Sequence, residues 1–132
     1  MMSVPARHRA TEAEFLALPE SLDRIEFVDG EVVLSPSPSV LHQETVGRLY
    51  LVLTLWARAH PPAAVGLSPL DVRLGPDRIV QPDLFVLPLG FPEGAAAPLD
   101  AVPALVVEVL SVRTTYDRLA KRLLYAEAGV RE

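Results

Sequence analysis

The stretch Ala104-Leu105-Val106-Val107-Glu108-Val109-Leu110 is almost entirely apolar and does not alternate. A strand of that kind needs cover on both faces, so the run predicts a central strand in a layered domain. Glu108 breaks the rule inside it. A buried, unpaired carboxylate is costly enough that such a residue is normally paired, neutralised or ligating. The strand alone leaves two explanations open: an ion pair with one of the eleven arginines, or a place in a functional site.

The other elements supply that cover. Thr11-Glu12-Ala13-Glu14 reads as a capping box opening a short helix that runs to about Leu18, before Pro19. Arg24–Val28 and Glu31–Leu34 flank Asp29-Gly30, a strong hairpin signal. Ser39 is placed to cap a long helix over about Val40–His60, in which Leu41, Val46, Leu49, Leu53 and Trp56 keep helical spacing and Pro61-Pro62 ends it. Short strands are expected over Ala63–Leu67, Leu70–Leu74 and Ile79–Leu87, then a loop over Pro88–Pro103. After the central strand, Ser111–Thr115 offers caps for a last helix, Tyr116–Ala128, with Gly129 to end it. The order predicts an α/β (α+β) domain, a mixed β-sheet flanked by helices with an N-terminal helix and hairpin. No linker or repeat divides it, and 132 residues suit one domain.

Composition excludes several classes. Half the residues are apolar and mean hydropathy is +0.28, which supports a core rather than disorder. No apolar run approaches the roughly 18 residues of a membrane span. Arg7-His8-Arg9 is not followed by an apolar stretch, so no secretory signal is expected. The absence of cysteine rules out disulfides, thiol catalysis and thiolate metal sites. A cytoplasmic protein away from membranes is expected, with an oxygen-ligated metal or none. Net charge is −5 overall, yet Arg113 to Glu132 carries +2, so the last segment is locally basic.

Two further residues stand beside Glu108. Asp83 follows Pro82 and opens Leu84-Phe85-Val86-Leu87, at a strand's mouth. Pro-Asp is also ordinary turn chemistry. Adjacent strands can nonetheless bring Asp83 and Glu108 together, and such hard oxygen donors suit Mg²⁺ or Mn²⁺. Lys121 is the only lysine among twelve cations and lies four residues after Asp117. It is either half of an exposed ion pair with Asp117 or a position that requires an ammonium.

Pro82-Asp83, Val107-Glu108-Val109-Leu110-Ser111, Asp117-Arg118-x-x-Lys121 and Tyr125-x-x-x-Gly129-Val130 together resemble the Uma-two family of restriction endonucleases, within the PD-(D/E)XK nuclease superfamily. Glu26-Phe27-Val28-Asp29-Gly30-Glu31, Ser35-Pro36 and His42 agree with it, so the resemblance runs from about Thr11 to the end. It implies a restriction-endonuclease-like fold and metal-dependent phosphodiester hydrolysis, with DNA the substrate by analogy. It matches Asp83 to the metal-binding aspartate and Glu108 to the acid of the second motif. The superfamily lysine would stand at Leu110; in this branch it is carried on the following helix, as Lys121. Glu26 would add to the metal shell or face water at a strand edge. His42 and Asp117 are accessory candidates, His42 being otherwise a capping or packing residue. Arg113, Arg118 and Arg122 would contact phosphates without sequence preference. The family's Ser-Pro-Ser after the Glu-Val-Leu strand is Ser111-Val112-Arg113 here, and the family runs on past Gly-Val into further strands. The chain is therefore expected to be a single nuclease-like domain lacking those strands, with an open sheet edge that favours a homodimer. The rival expectation is a non-catalytic relative that binds nucleic acid or acts as a scaffold.

Overall fold

The structure, a computed structural model, describes residues 7–21, 23–35, 37–110 and 115–132, and only the backbone of 115–119. Nine strands and three helices are found among them. Ser111–Arg113 and Thr114 lie outside the described residues, so their capping role is not placed.

Local chemistry accounts for most boundaries. Helix α1 (Glu12–Leu16) opens on the expected box: Glu14 N donates to Thr11 Oγ1 at 3.2 Å and Thr11 N donates to Glu14 Oε1 at 3.2 Å. Strands β2 (Arg24–Val28) and β3 (Glu31–Ser35) join through Asp29 and Gly30 at φ 51° and 84°, the paired positive φ of a type I′ hairpin turn. Helix α2 (Val40–Arg58) is capped by Ser39, whose side chain accepts from His42 N at 3.1 Å. Helix α3 (Thr115–Ala128) ends in a Schellman pattern, with Gly129 N donating to Ala126 O and Val130 N to Tyr125 O.

Strand β1 (Arg7–Arg9), not anticipated, pairs antiparallel with β3. The expected strand Ile79–Leu87 is two strands in different sheets. Strand β6 (Arg78–Val80) pairs with β2 and with β5 (Val72–Gly75), whereas β7 (Leu84–Leu87) pairs with β4 (Ala64–Leu67) and β9 (Leu105–Val107). Pro82, which has no N–H for a ladder, sits in the crossing. A two-residue strand β8 (Leu99–Asp100) in the predicted loop runs parallel to β5. The result is a mixed six-stranded sheet, β1-β3-β2-β6-β5-β8, beside a three-stranded antiparallel sheet, β4-β7-β9.

The fully covered central strand is β7, not β9. Leu84, Phe85, Val86 and Leu87 are all buried, while Leu105–Val107 is half-buried. On the far side of β9, the backbone of Glu132 meets the chain, with Val106 N donating to Glu132 O and Glu132 N to Ala104 O. One core cluster joins β5, β6, β7 and β8 to Leu124 and Tyr125 of α3; a second packs Phe15 of α1 on Phe27, Val32 and Ile79. Strand alternation does the rest. Because Phe27 faces α1, Arg24 and Glu26 face the opposite side, towards α3.

Candidate active site

Each acidic side chain arrives on a different element. Glu26 is buried on β2, where its Oε2 accepts from Gln81 N at 2.8 Å and from Lys121 Nζ at 2.7 Å. It does not face water. Asp83 stands at the head of β7, only 1% exposed, and Oδ2 accepts from Val109 N at 2.7 Å. His42 Nε2, reaching in from the first turn of α2, lies 3.1 Å from the same oxygen. Glu108 follows β9; its Oε1 accepts from Tyr125 OH at 2.6 Å and from Lys121 Nζ at 3.3 Å.

Arg24 joins the set. Its guanidinium pairs with Asp83 Oδ1 and donates to Glu108 Oε2 at 3.3 Å. The two carboxylates therefore lie within the span of one planar fork, which reads carboxylates bidentately. Three carboxylates meet two fixed cations, Arg24 and Lys121, so one negative charge is left over before His42 is counted.

Burial and neighbours shift these groups. Burial pushes the Glu108 carboxyl up, and Glu26 adds repulsion, against the pull of Lys121, Tyr125 and Arg24. For Lys121, burial works against the charge, but Glu26 and Glu108 outweigh it and hold the ammonium above its ordinary value. Arg24 is raised in the same way, burial being outweighed by Glu108, Asp83 and Glu26. Burial, then Glu108 and Glu26, hold the Tyr125 phenol well above the usual range.

The cluster opens into a cleft of about 790 Å³, walled by Arg24, Glu26, Glu108, Lys121, Arg122 and Tyr125 among others. Asp83 and His42 do not line it; Asp83 reaches the cleft through Arg24. Among the described residues no three Cys, His, Asp or Glu side chains stand together at metal-binding spacing. What the donor set can hold is a hard divalent cation on one or two carboxylates with its remaining positions on water, the usual coordination of Mg²⁺. Two cationic side chains already rest on Glu108, one of them shared with Asp83, so the pocket accepts positive charge where such an ion would sit.

Of the residues singled out in the sequence, the structure brings Asp83, Glu108, Lys121, Glu26 and His42 into one cluster and leaves Arg122 exposed on the cleft wall. Lys121 is not half of a surface pair. The side chains of Asp117 and Arg118, and the whole of Arg113, lie outside the described residues. Sequence reasoning missed Arg24 and Tyr125 as members. Their signals were there: Arg24 stands two before Glu26 on one strand face, and Tyr125 follows Lys121 by four on one helix face.

The chain matches, over residues 12–132, the family described as "Uma2: Putative restriction endonuclease". The chain belongs to the Uma2 family. The fold of this Uma2 chain is similar to the crystal structure described as "a putative nuclease belonging to DUF820" from Anabaena variabilis ATCC 29413. The TM-score is 0.75 at 22% identity, covering 92% of this chain and 70% of that one. No curated protein matches the chain. Uma2 membership supports a nuclease-type function that engages nucleic acid. No helix among the described residues is long and apolar enough to cross a membrane.

Proposed function

We propose that this Uma2 chain is a metal-dependent endonuclease that hydrolyses phosphodiester bonds in DNA. The observation that carries the reading is the meeting of Glu108 and Lys121 at the wall of one cleft, with Asp83 tied to Glu108 just behind it through Arg24. Asp83 and Glu108 would hold Mg²⁺ or Mn²⁺, and Glu26 stands one ammonium away as a further carboxylate. When bound, such an ion polarises the scissile phosphate and acidifies a water.

The chain's own residues do the rest. Glu26 and Glu108 hold the Lys121 ammonium between them, so its positive charge is fixed before substrate arrives and can stabilise charge developing on phosphorus. Tyr125 orients Glu108, leaving the opposite carboxylate oxygen for Arg24. Arg24 bridges Asp83 and Glu108, so it would share those carboxylates with a bound cation, and its remaining N–H groups would be available to a phosphate oxygen. Arg122 offers a sequence-independent contact on the cleft wall, as Arg113 and Arg118 would further along the basic segment.

One observation favours a second reading: Arg24 and Lys121 already balance most of the site's charge, as they would in a non-catalytic nucleic-acid-binding or scaffold protein. A nicking assay on supercoiled plasmid, with and without Mg²⁺ or Mn²⁺, separates the two. Metal-dependent nicking that Asp83→Asn and Glu108→Gln abolish, in variants that circular dichroism shows to be still folded, supports the enzyme. Retained binding of DNA with no cleavage under either metal supports the scaffold. Folded RNA run in parallel decides the substrate.

A further inference from the structure

Helix α2 shows solvent an unusual amount of hydrocarbon. Its inward stripe is Val46 and Ala57, packed towards β4. On the outward side Leu41, Leu51, Val52 and Leu55 are 72%, 60%, 62% and 57% exposed, and Trp56 is also exposed. At 100° per residue, Glu44, Arg48, Leu51, Leu55 and Arg58 fall in one sector of about 80°, opposite the inward stripe. At its margin stands Gly47, where an added Cβ would meet nothing within 4 Å.

We infer that this face is a homodimer surface, on which α2 packs antiparallel against α2 of a second copy about a two-fold axis at Leu51. In that register a residue k positions after Leu51 faces the one k positions before it. Leu55 then sits over the gap at Gly47, and Arg58 meets Glu44, each contact occurring twice by symmetry. Leu51 meets itself. A parallel pairing would instead set Glu44 on Glu44 and Arg58 on Arg58, so charge selects the antiparallel arrangement. Glu44 is free to change partners: its present contact with Arg48, at 3.3 Å, joins side chains 57% and 80% exposed, and such pairs hold weakly. Gly47 lets the two backbones approach closely. The helix is about 28 Å long, so the contact falls at the small end of specific interfaces and the dimer should be reversible. No α2 residue lines the 790 Å³ cleft, which the pairing therefore leaves open.

The test is sedimentation velocity from about 1 μM to about 100 μM, the range in which a small interface is half-formed. Wild type should pass from monomer to dimer. Glu44→Arg and Arg58→Glu should each weaken association by about tenfold or more, and the double variant should restore it, because the reversed charges meet again. Both positions are solvent-exposed on the helix, and circular dichroism checks that the singles stay folded. The chain has no cysteine, so Leu51→Cys carries a single thiol. Mild oxidation should convert it to a covalent dimer, while Leu41→Cys, nearly three turns from the axis, stays monomeric. A wild type that remains monomeric at the highest concentration overturns the inference, and so does a dimer indifferent to the charge reversals or to the placement of the thiol. Either result assigns the face to another occupant, such as a further segment or a different protein.

Discussion

Lys121 is the residue whose chemistry is most constrained by its surroundings. Its ammonium fits between Glu26 and Glu108, at 2.7 and 3.3 Å, in a space with 21% side-chain exposure. A guanidinium is larger and planar, and it cannot place a point charge at both oxygens. Lys121→Arg should therefore lose most plasmid cleavage while keeping its melting profile, and parallel rate and melting measurements check both halves. Wild-type cleavage by that variant would remove Lys121 from the chemistry. Tyr125→Phe makes a narrower cut, because the ring stays in the core and only the hydroxyl on Glu108 is lost. A hydrogen bond to a charged group is worth about 1.5–3 kcal/mol, so urea denaturation should show a loss in that range. The residues legible from the sequence were those whose type clashed with local pattern, such as an acid in an apolar strand or the only lysine. Arg24 was not, because one arginine among eleven raises no local conflict; only the fold reveals that it spans Asp83 and Glu108.

Elements tell a similar story about what short-range pattern encodes. The hairpin was readable because Asp29-Gly30 dictates its own backbone, and Asp29 carries a second duty. Arg78 hydrogen-bonds its carboxylate at 2.9 Å and holds it below the ordinary carboxylate range, tying the turn to β6. A depressed carboxyl contributes stability that is complete above its unfolded value of about 4 and fades as pH falls through the lower folded value. Asp29→Asn, which also tolerates positive φ, should melt lower than wild type at neutral pH, with the gap closing in acid. A constant gap across that range would show that the ion pair contributes nothing. Strand β4 supplies another test. Gly66 lies opposite Phe85, and an added Cβ would stand 2.1 Å from the ring, so Gly66→Ala should destabilise by about 1–3 kcal/mol through overpacking. Chemical denaturation reads this directly. The division of Ile79–Leu87 into β6 and β7 was less legible, since the apolar pairs and runs on either side of Gln81-Pro82-Asp83 are too short to show a period from which to read a change of sheet. Pro82 was the local clue. The two-residue β8 and the edge strand β1 depend on partners distant in the chain, which no window of sequence contains.

At the scale of the whole molecule, the site lies where the two sheets meet. The crossing segment 81–83 gives Gln81 N to Glu26 on one side and the Asp83 side chain to the other sheet's neighbourhood. A divalent ion bound there would favour the folded chain over the unfolded one by mass action, about 2.7 kcal/mol at a hundredfold excess over Kd. Titrating Mg²⁺ or Mn²⁺ should raise the melting temperature of wild type, and Glu108→Gln should flatten the response. Equal responses in both proteins would place the ion elsewhere.

Asp83 is held at once by β2 through Arg24, by α2 through His42 and by the segment after β9 through Val109 N. The same carboxylate that would serve chemistry is thus a rivet among three distant parts of the chain. Over evolutionary time this separates the fate of the residue from the fate of the activity. A descendant released from any need to cut nucleic acid would still lose folded protein if it lost the aspartate, so drift would erase other parts of the site before this one. Among relatives, an intact aspartate would therefore record the demands of folding as much as those of chemistry, and by itself would not mark a living enzyme.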